Sequence, residues 1–211
     1  MHKYILFIIL CIIAYFFGAI PFGLLIVKLF KKTDVRKYGS HSIGTTNVFR
    51  VYGFKLGFLV LVLDTLKGTI SASLPMIFDN YPHYYVIICG FFAVIGHTFS
   101  IFLNFRGGKA VATGSGILLA YEPKLFVLTW TVFLITLFLF SAVSIASIVG
   151  FIFVNLMAFF ILKDHILSII AFILLIVVIY RHRENILRIK KGQENLVPFG
   201  LVYWYKNKKN K

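Results

Sequence analysis

The sequence predicts an all-α, polytopic integral membrane protein of about seven transmembrane helices. Three observations carry that prediction. Of 211 residues, 60% are hydrophobic and 14% charged, and the mean hydropathy of +0.91 lies far outside the range of a soluble domain. The apolar residues come in continuous runs near the ~20 residues needed to cross hydrocarbon, whereas a transmembrane barrel would alternate within segments of about ten. The basic residues gather at the ends of those runs.

The first span covers Tyr4 to about Val27. It continues through "FGAIPFG" with no small-x-small cleavage pattern, so it reads as a retained span and not as a signal peptide. The second runs from about Val51 to Phe78 and the third from Tyr84 to Leu103. A fourth, about Ala110 to Ala120, is too short to cross alone and is expected to sit partly within the protein. The fifth runs from Leu125 to about Phe140, the sixth from Ala142 to Leu162, and the seventh from Ile166 to Tyr180. Ser141-Ala142 is the least marked of these breaks. Neither a separate soluble domain nor an internal repeat is visible, so residues 1–211 read as one transmembrane domain.

Charge placement orients the spans. Lys28, Lys31, Lys32, Arg36, Lys37 and Arg50 follow the first, and Arg106 and Lys109 follow the third. Arg181, Arg183, Arg188, Lys190, Lys191 and four further lysines follow the seventh. The opposite side has Lys3, Lys124 and Lys163, offset by Asp79, Glu122 and Asp164. The excess of Lys and Arg on cytoplasmic loops places the N-terminus outside and the C-terminus in the cytoplasm, which requires an odd number of spans. The net charge of +15 is therefore a matter of topology and lipid head groups, and no nucleic-acid partner is expected. Cys11 and Cys89 lie inside apolar runs and read as buried single thiols.

Three polar islands then fall on the cytoplasmic face: "YGSHSIGTTNVFR" (38–50), "GHTFSIFLNFRGGKAVATG" (96–114) and "RHRENILRIKKGQE" (181–194). Each is rich in glycine, hydroxyls, amides and cations and poor in carboxylates. Such a set suits a phosphate, because glycine lets backbone N–H groups approach, hydroxyls donate, and Lys and Arg neutralise charge. Singly, each island is also ordinary loop chemistry. Arg106-Gly107-Gly108-Lys109 is the hardest to explain that way, since it opens a helix whose N-terminus already attracts anions. A nucleotide-binding loop is excluded: Leu103 and Ala110 stand where that pattern needs Gly and Ser or Thr.

Asp64 and Lys67 lie three residues apart inside the second span and share one helix face. Ionisable groups at that depth mark function, and two readings stay open: a self-neutralising structural pair, or Lys67 facing an anion while Asp64 orients it. His2, His83 and His165 sit at outer ends. His97 and His182 sit within islands, as candidates for acid–base work, phosphate hydrogen bonds or a fixed structural bond. No His-x4-Asp pattern, metal-spaced Cys/His cluster or G-x-S-x-G elbow is present, and neither a metal nor an organic cofactor is expected.

Taken together, "GAIPFG", "GS…IG.TNVFR", "D..KG", "GH.FS.FL.F.GGK..AT" and "RH..NI.R…G.E" resemble, in order and spacing along the whole chain, the acyl-phosphate-dependent glycerol-3-phosphate acyltransferase family of bacterial membranes. The resemblance implies a multi-pass protein of the bacterial cell membrane. The activity it implies is acyl transfer from acyl phosphate to the 1-hydroxyl of sn-glycerol 3-phosphate, giving lysophosphatidic acid and phosphate. It implies both substrates and membrane lipid as partners, and leaves open functional coupling to an enzyme that makes acyl phosphate. Family roles map onto Ser40, Arg50, Lys109, His182 and Asn185 as catalytic residues. Lys67 maps likewise to substrate binding, with Gly107, Gly108, Gly192 and Glu194 in the same motifs; beside the resemblance, the residues themselves add Gly39, Asn47 and Arg106 as substrate-binding candidates and Asp64 and His97 as orienting ones. Four positions depart from the family pattern: His41 and Ala110 replace glycines, Ser42 replaces an amide and Arg106 replaces a lysine. From the residues alone, a transporter for a phosphorylated small molecule and a non-catalytic partner of lipid-synthesis enzymes are the competing classes.

Overall fold

The computed structural model describes residues 2–78 and 81–209, so Asp79 and Lys211, two of the charges counted above, lie outside the described residues. Among the described residues the fold is helical without strands. Five helices are long and apolar enough to cross a membrane, or six if the bent pair formed by His165–Arg181 and Arg183–Lys190 is one span, and Val111–Tyr121 is a further, shorter apolar helix. The chain divides into two compact units, residues 1–123 and 124–211.

The first unit holds α1 (His2–Ala19), α2 (Phe22–Lys31), α3 (Thr45–Tyr52), α4 (Phe54–Phe78), α5 (Tyr84–Thr98) and α6 (Val111–Tyr121). The apolar run read as one first span contains a break at Ile20-Pro21. Proline supplies no N–H and disfavours helix at the residue before it, so α1 stops at Ala19 and α2 restarts at Phe22. The second span likewise starts later than its hydropathy suggests. Gly53, at φ 81°, separates the amphipathic α3 from α4.

Helix contacts in this unit depend on small residues, as expected where lipid gives no hydrophobic drive for helix association. A Cβ on Gly68 of α4 would overlap the Thr113 carbonyl of α6, and one on Gly116 of α6 would overlap the Thr65 carbonyl of α4. Gly18 and Gly96 bring α1 and α5 together in the same reciprocal way, against Ala93 and Tyr15. Cys11 and Cys89 are free, buried thiols in the α1–α5 core beside Leu10, Ala14 and Tyr81.

The second unit holds α7 (Pro123–Phe140), α8 (Val143–Leu156), α9 (His165–Arg181), α10 (Arg183–Lys190) and α11 (Leu201–Lys209). The faint break at Ser141-Ala142 is real: Ser141 is left-handed at φ 55° and Ala142 is extended. The tail binds Ser141 through both its carbonyl and its side chain, since Val197 N–H donates to the Ser141 carbonyl (2.8 Å) and Tyr203 N–H to Ser141 Oγ (3.0 Å). A π-helical turn, Met157–Ile161, ends the α8 rod. Residues such as Ile152, Phe159, Ile169 and Ile176 stay exposed, as lipid-facing side chains must.

Candidate active site

The first island is a loop organised by one amide. Asn47, buried at the start of α3, donates from Nδ2 to the carbonyls of Ser42 (2.8 Å), Tyr38 (3.0 Å) and Val35 (3.3 Å). Its Oδ1 accepts the Ser40 N–H at 2.8 Å. The sequence offered Asn47 as a ligand-binding residue. In the structure its polar atoms are spent on shaping the loop that presents Ser40. Gly39 stands at φ 63°, and a Cβ there would strike Asn47 Oδ1. Asp34 closes the loop's other end by capping a 3-10 turn at Val35–Lys37 and pairing with Arg36 at 2.6 Å. The Arg36 guanidinium holds the Asp34 carboxyl down to about 2.

His41, which stands where the resembled family pattern has glycine, is in the left-handed region. It adopts φ 57°, with its N–H on the Tyr38 carbonyl (3.1 Å) and its Nδ1 on the Arg36 carbonyl (2.9 Å). Ala110, the other replaced glycine, is also left-handed at φ 60° and immediately precedes α6. Both residues therefore carry the steric cost of a Cβ in a region that glycine enters freely.

Asp64 and Lys67 pair at 2.7 Å with side chains 3% and 1% exposed. Lys67 also donates to the Ile20 carbonyl at 2.8 Å and stands over the Phe22 ring at 5.5 Å. The carbonyl exposed by the proline break of the first span is thus capped by the lysine of the second. Ser100 does the same for Ala19, donating from Oγ at 2.6 Å. On the other side of the pair, His97 Nδ1 lies 3.9 Å from Asp64 Oδ1. The ion pair itself is formed, as both readings of these two residues require.

The Gly-Gly segment lies directly against His97. Gly107 N–H donates to the Thr98 carbonyl (3.1 Å) and Gly108 N–H to the His97 carbonyl (3.0 Å). A Cβ on Gly107 would overlap the His97 carbonyl, and one on Gly108 would overlap the imidazole at Nε2. These glycines serve close approach: they fold the loop onto the end of α5, so that Lys109 follows half-buried at the mouth of α6 and Arg106 is exposed just before. Arg50 is exposed near the end of α3.

The second unit carries its own polar cluster. Here α9 and α10 meet at a 58° bend, with His182 at the corner. His182 is buried, and its Nδ1 sits 2.9 Å from the Val178 carbonyl. A carbonyl only accepts, so Nδ1 carries the proton and Nε2 is the basic nitrogen of the neutral ring. Glu194 is the hub of this cluster. Its Oε1 accepts from Asn185 Nδ2 (2.7 Å) and Ser144 Oγ (2.9 Å), while Oε2 pairs with Arg188 (3.1 Å). Gly192 ends α10 at φ 68°. Ser144 and Ser100 were not picked out from the sequence. The available signal was a small hydroxyl beside a helix break, which is too common to single out.

The structure thus brings Asp64, Lys67, His97, Gly107 and Gly108 into one buried network, Gly39, Ser40 and Asn47 into one loop, and Asn185 and Glu194 into one hydrogen-bonded pair. These features define a class: a polytopic helical membrane protein whose cation- and hydroxyl-bearing loops are braced by buried polar bonds suited to an anionic ligand.

The family model for glycerol-3-phosphate acyltransferases matches residues 8–192. A glycerol-3-phosphate acyltransferase of Latilactobacillus sakei is 54% identical over 94% of this chain and 96% of its own, and one of Lacticaseibacillus casei is 52% identical over 92% and 94%. Among solved structures, the integral membrane glycerol 3-phosphate acyltransferase PlsY (YgiH) in its glycerol 3-phosphate form aligns with TM-score 0.84 at 37% identity, covering 90% of this chain and 95% of that one. Its lysophosphatidic acid form aligns with TM-score 0.80 at 36% identity. The chain belongs to the glycerol-3-phosphate acyltransferase family.

Proposed function

We propose that this protein transfers an acyl group from acyl phosphate to the 1-hydroxyl of sn-glycerol 3-phosphate, releasing lysophosphatidic acid and inorganic phosphate. The observation that carries this reading is the likeness along nearly the whole chain to an acyltransferase solved in glycerol 3-phosphate and lysophosphatidic acid forms. The chain acts as one transmembrane acyltransferase domain with seven crossings, its N-terminus outside and its C-terminus in the cytoplasm, in keeping with the placement of Lys and Arg.

Acyl phosphate is an activated donor with a good leaving group, so no covalent acyl-enzyme is required. Both substrates bear phosphate, and their mutual repulsion is the first obstacle. Arg50, Lys109 and Arg106 supply the positive charge that offsets it, and Ser40 adds a hydroxyl donor. Catalysis is then mainly positioning and stabilisation of charge developing on the acyl oxygen and the departing phosphate. His182, with Nε2 as its basic nitrogen, takes the proton of the glycerol hydroxyl, and Asn185 is aligned by Glu194. Lys67, Asp64 and His97 support the Gly-Gly loop from behind.

The test is direct. Purified protein is given acyl phosphate and labelled glycerol 3-phosphate, with no acyl-CoA or acyl carrier protein. Labelled lysophosphatidic acid is the expected product. Product that forms only with an acyl thioester would refute the donor, and no product with either donor would refute the function.

A further inference from the structure

The region matched by the family ends at residue 192, and the last motif above ends at Glu194, so none accounts for the tail beyond it. Residues 195–211, "NLVPFGLVYWYKNKKNK", hold four lysines and no carboxylate. Leu201, Trp204 and Tyr205 of α11 follow i, i+3, i+4 spacing, so they share one face, and they are 48%, 51% and 70% exposed. Lys206 and Lys208 are exposed further along the same short helix.

This helix is fixed in place. Tyr203 N–H is bound to Ser141 Oγ, and Gly200, at φ 97°, lies so close to the Phe138 carbonyl that a Cβ would overlap it. The Trp204 ring meets Phe138 edge-on, with centroids 5.7 Å apart. Phe138 belongs to the last turn of α7, where Leu139 and Phe140 are also more than two-fifths exposed on a helix long and apolar enough to span. The exposed face of α11 therefore adjoins the lipid-facing surface of α7 at its membrane-exit end. Tryptophan and tyrosine favour that depth, where an apolar ring can be buried while its polar edge stays wet.

We propose that α11 is an interfacial foot that binds an anionic lipid surface, with Leu201, Trp204 and Tyr205 entering the acyl–headgroup boundary and the lysines gripping the headgroups. The charge argues for anionic lipid specifically: a segment with four lysines and no Asp or Glu gains from the negative surface potential of an anionic leaflet, which neutral headgroups do not provide. Lys206 Nζ also donates to the Gly192 carbonyl at 3.2 Å, which leaves its positive charge unneutralised.

The experiment uses the full chain in nanodiscs loaded with one copy each. A Trp130→Phe background leaves Trp204 as the sole tryptophan, since the chain has two. In discs containing phosphatidylglycerol, Trp204 emission should be strongly lowered when lipid brominated high in the acyl chain replaces the same lipid without bromine. On the Trp130-containing protein, native mass spectrometry should show retained phosphatidylglycerol. Its preference over phosphatidylcholine should fall by about fivefold per lysine in Lys206→Gln, Lys208→Gln and Lys209→Gln combinations, the effect of one basic residue at a charged leaflet. Trp204 emission indifferent to brominated lipid would overturn the proposal, as would lipid preference unchanged in the triple variant. Shielding of Trp204 only in discs holding two copies would assign the face to a second chain instead.

Discussion

Removing the Lys67 ammonium tests the network at its centre. In Lys67→Met the Asp64 carboxylate, 3% exposed, loses its partner at 2.7 Å, while His97 Nδ1 stays 3.9 Å away. The Ile20 carbonyl loses the lysine at 2.8 Å but retains the Phe22 N–H at 3.1 Å. The dominant cost is thus the stranded charge, and breaking a buried pair from one side costs ~3–5 kcal/mol. For a chain of this length each kcal/mol moves the melting point by about 2–4 °C, so a fall of roughly 6–20 °C is expected. Removing both charges, as Asp64→Leu with Lys67→Met, eliminates the stranded group and should recover most of that loss. Thermal unfolding of the four proteins of the cycle, in one detergent, gives the coupling directly. Two results would refute the reasoning: a single variant within 2 °C of the parent, or a double variant whose loss is the sum of the singles. Acyl transfer by the recovered double variant then separates bracing from substrate contact: if Lys67 only braces the loop, turnover returns with stability.

The other predictions concern neighbouring features. Gly108→Ala drives a methyl into the His97 imidazole and should destabilise by about 1–3 kcal/mol, seen as a lowered melting point, while Gly192→Ala meets no neighbouring atom and carries only the strain of its positive φ. Ala110→Gly should gain up to about 1 kcal/mol by relieving a left-handed Cβ, whereas His41→Gly should gain less, because it also forfeits the bond to the Arg36 carbonyl; equal melting points for the two variants would contradict this. Lys109→Ala should lower turnover by about a hundredfold, the loss expected for one main charge on the developing anion, and His182→Gln should lower it by about a hundredfold or more, the loss expected for a general base; full activity in either excludes that residue's role. Asp34 contributes stability above its ordinary value of 3.8, and this is lost as pH falls through about 2, so an Asp34→Asn protein should show a weaker pH dependence of unfolding across that window.

The span pattern was legible in the sequence because membrane depth imposes it on contiguous residues. Tyr84–Leu103 was read with the bounds of an apolar stretch in the structure, and the faint Ser141 break was read at the right place. The first apolar run is one candidate span in the structure too, while the interruptions at Pro21 and Gly53 leave no mark in hydropathy because they cost only a residue or two of helix. The site motifs were legible as islands, yet the part each residue plays was not. The spacing offers Asn47 and Glu194 as substrate-binding residues, but it says nothing of the internal bonds the structure adds, from Asn47 to the Ser42 carbonyl and from Asn185, Ser144 and Arg188 to Glu194.

By itself, then, the order of residues determined a helical membrane chain, the positions of its cationic segments, and its membership of an acyltransferase family. Which polar atoms are already spent inside the protein was decided only by tertiary structure. Lys67 reaches a carbonyl 47 positions away and Ser100 one 81 positions away. Such partners are chosen by how helices cross, and helix crossing depends on shape matching between distant glycines and carbonyls that no local spacing encodes.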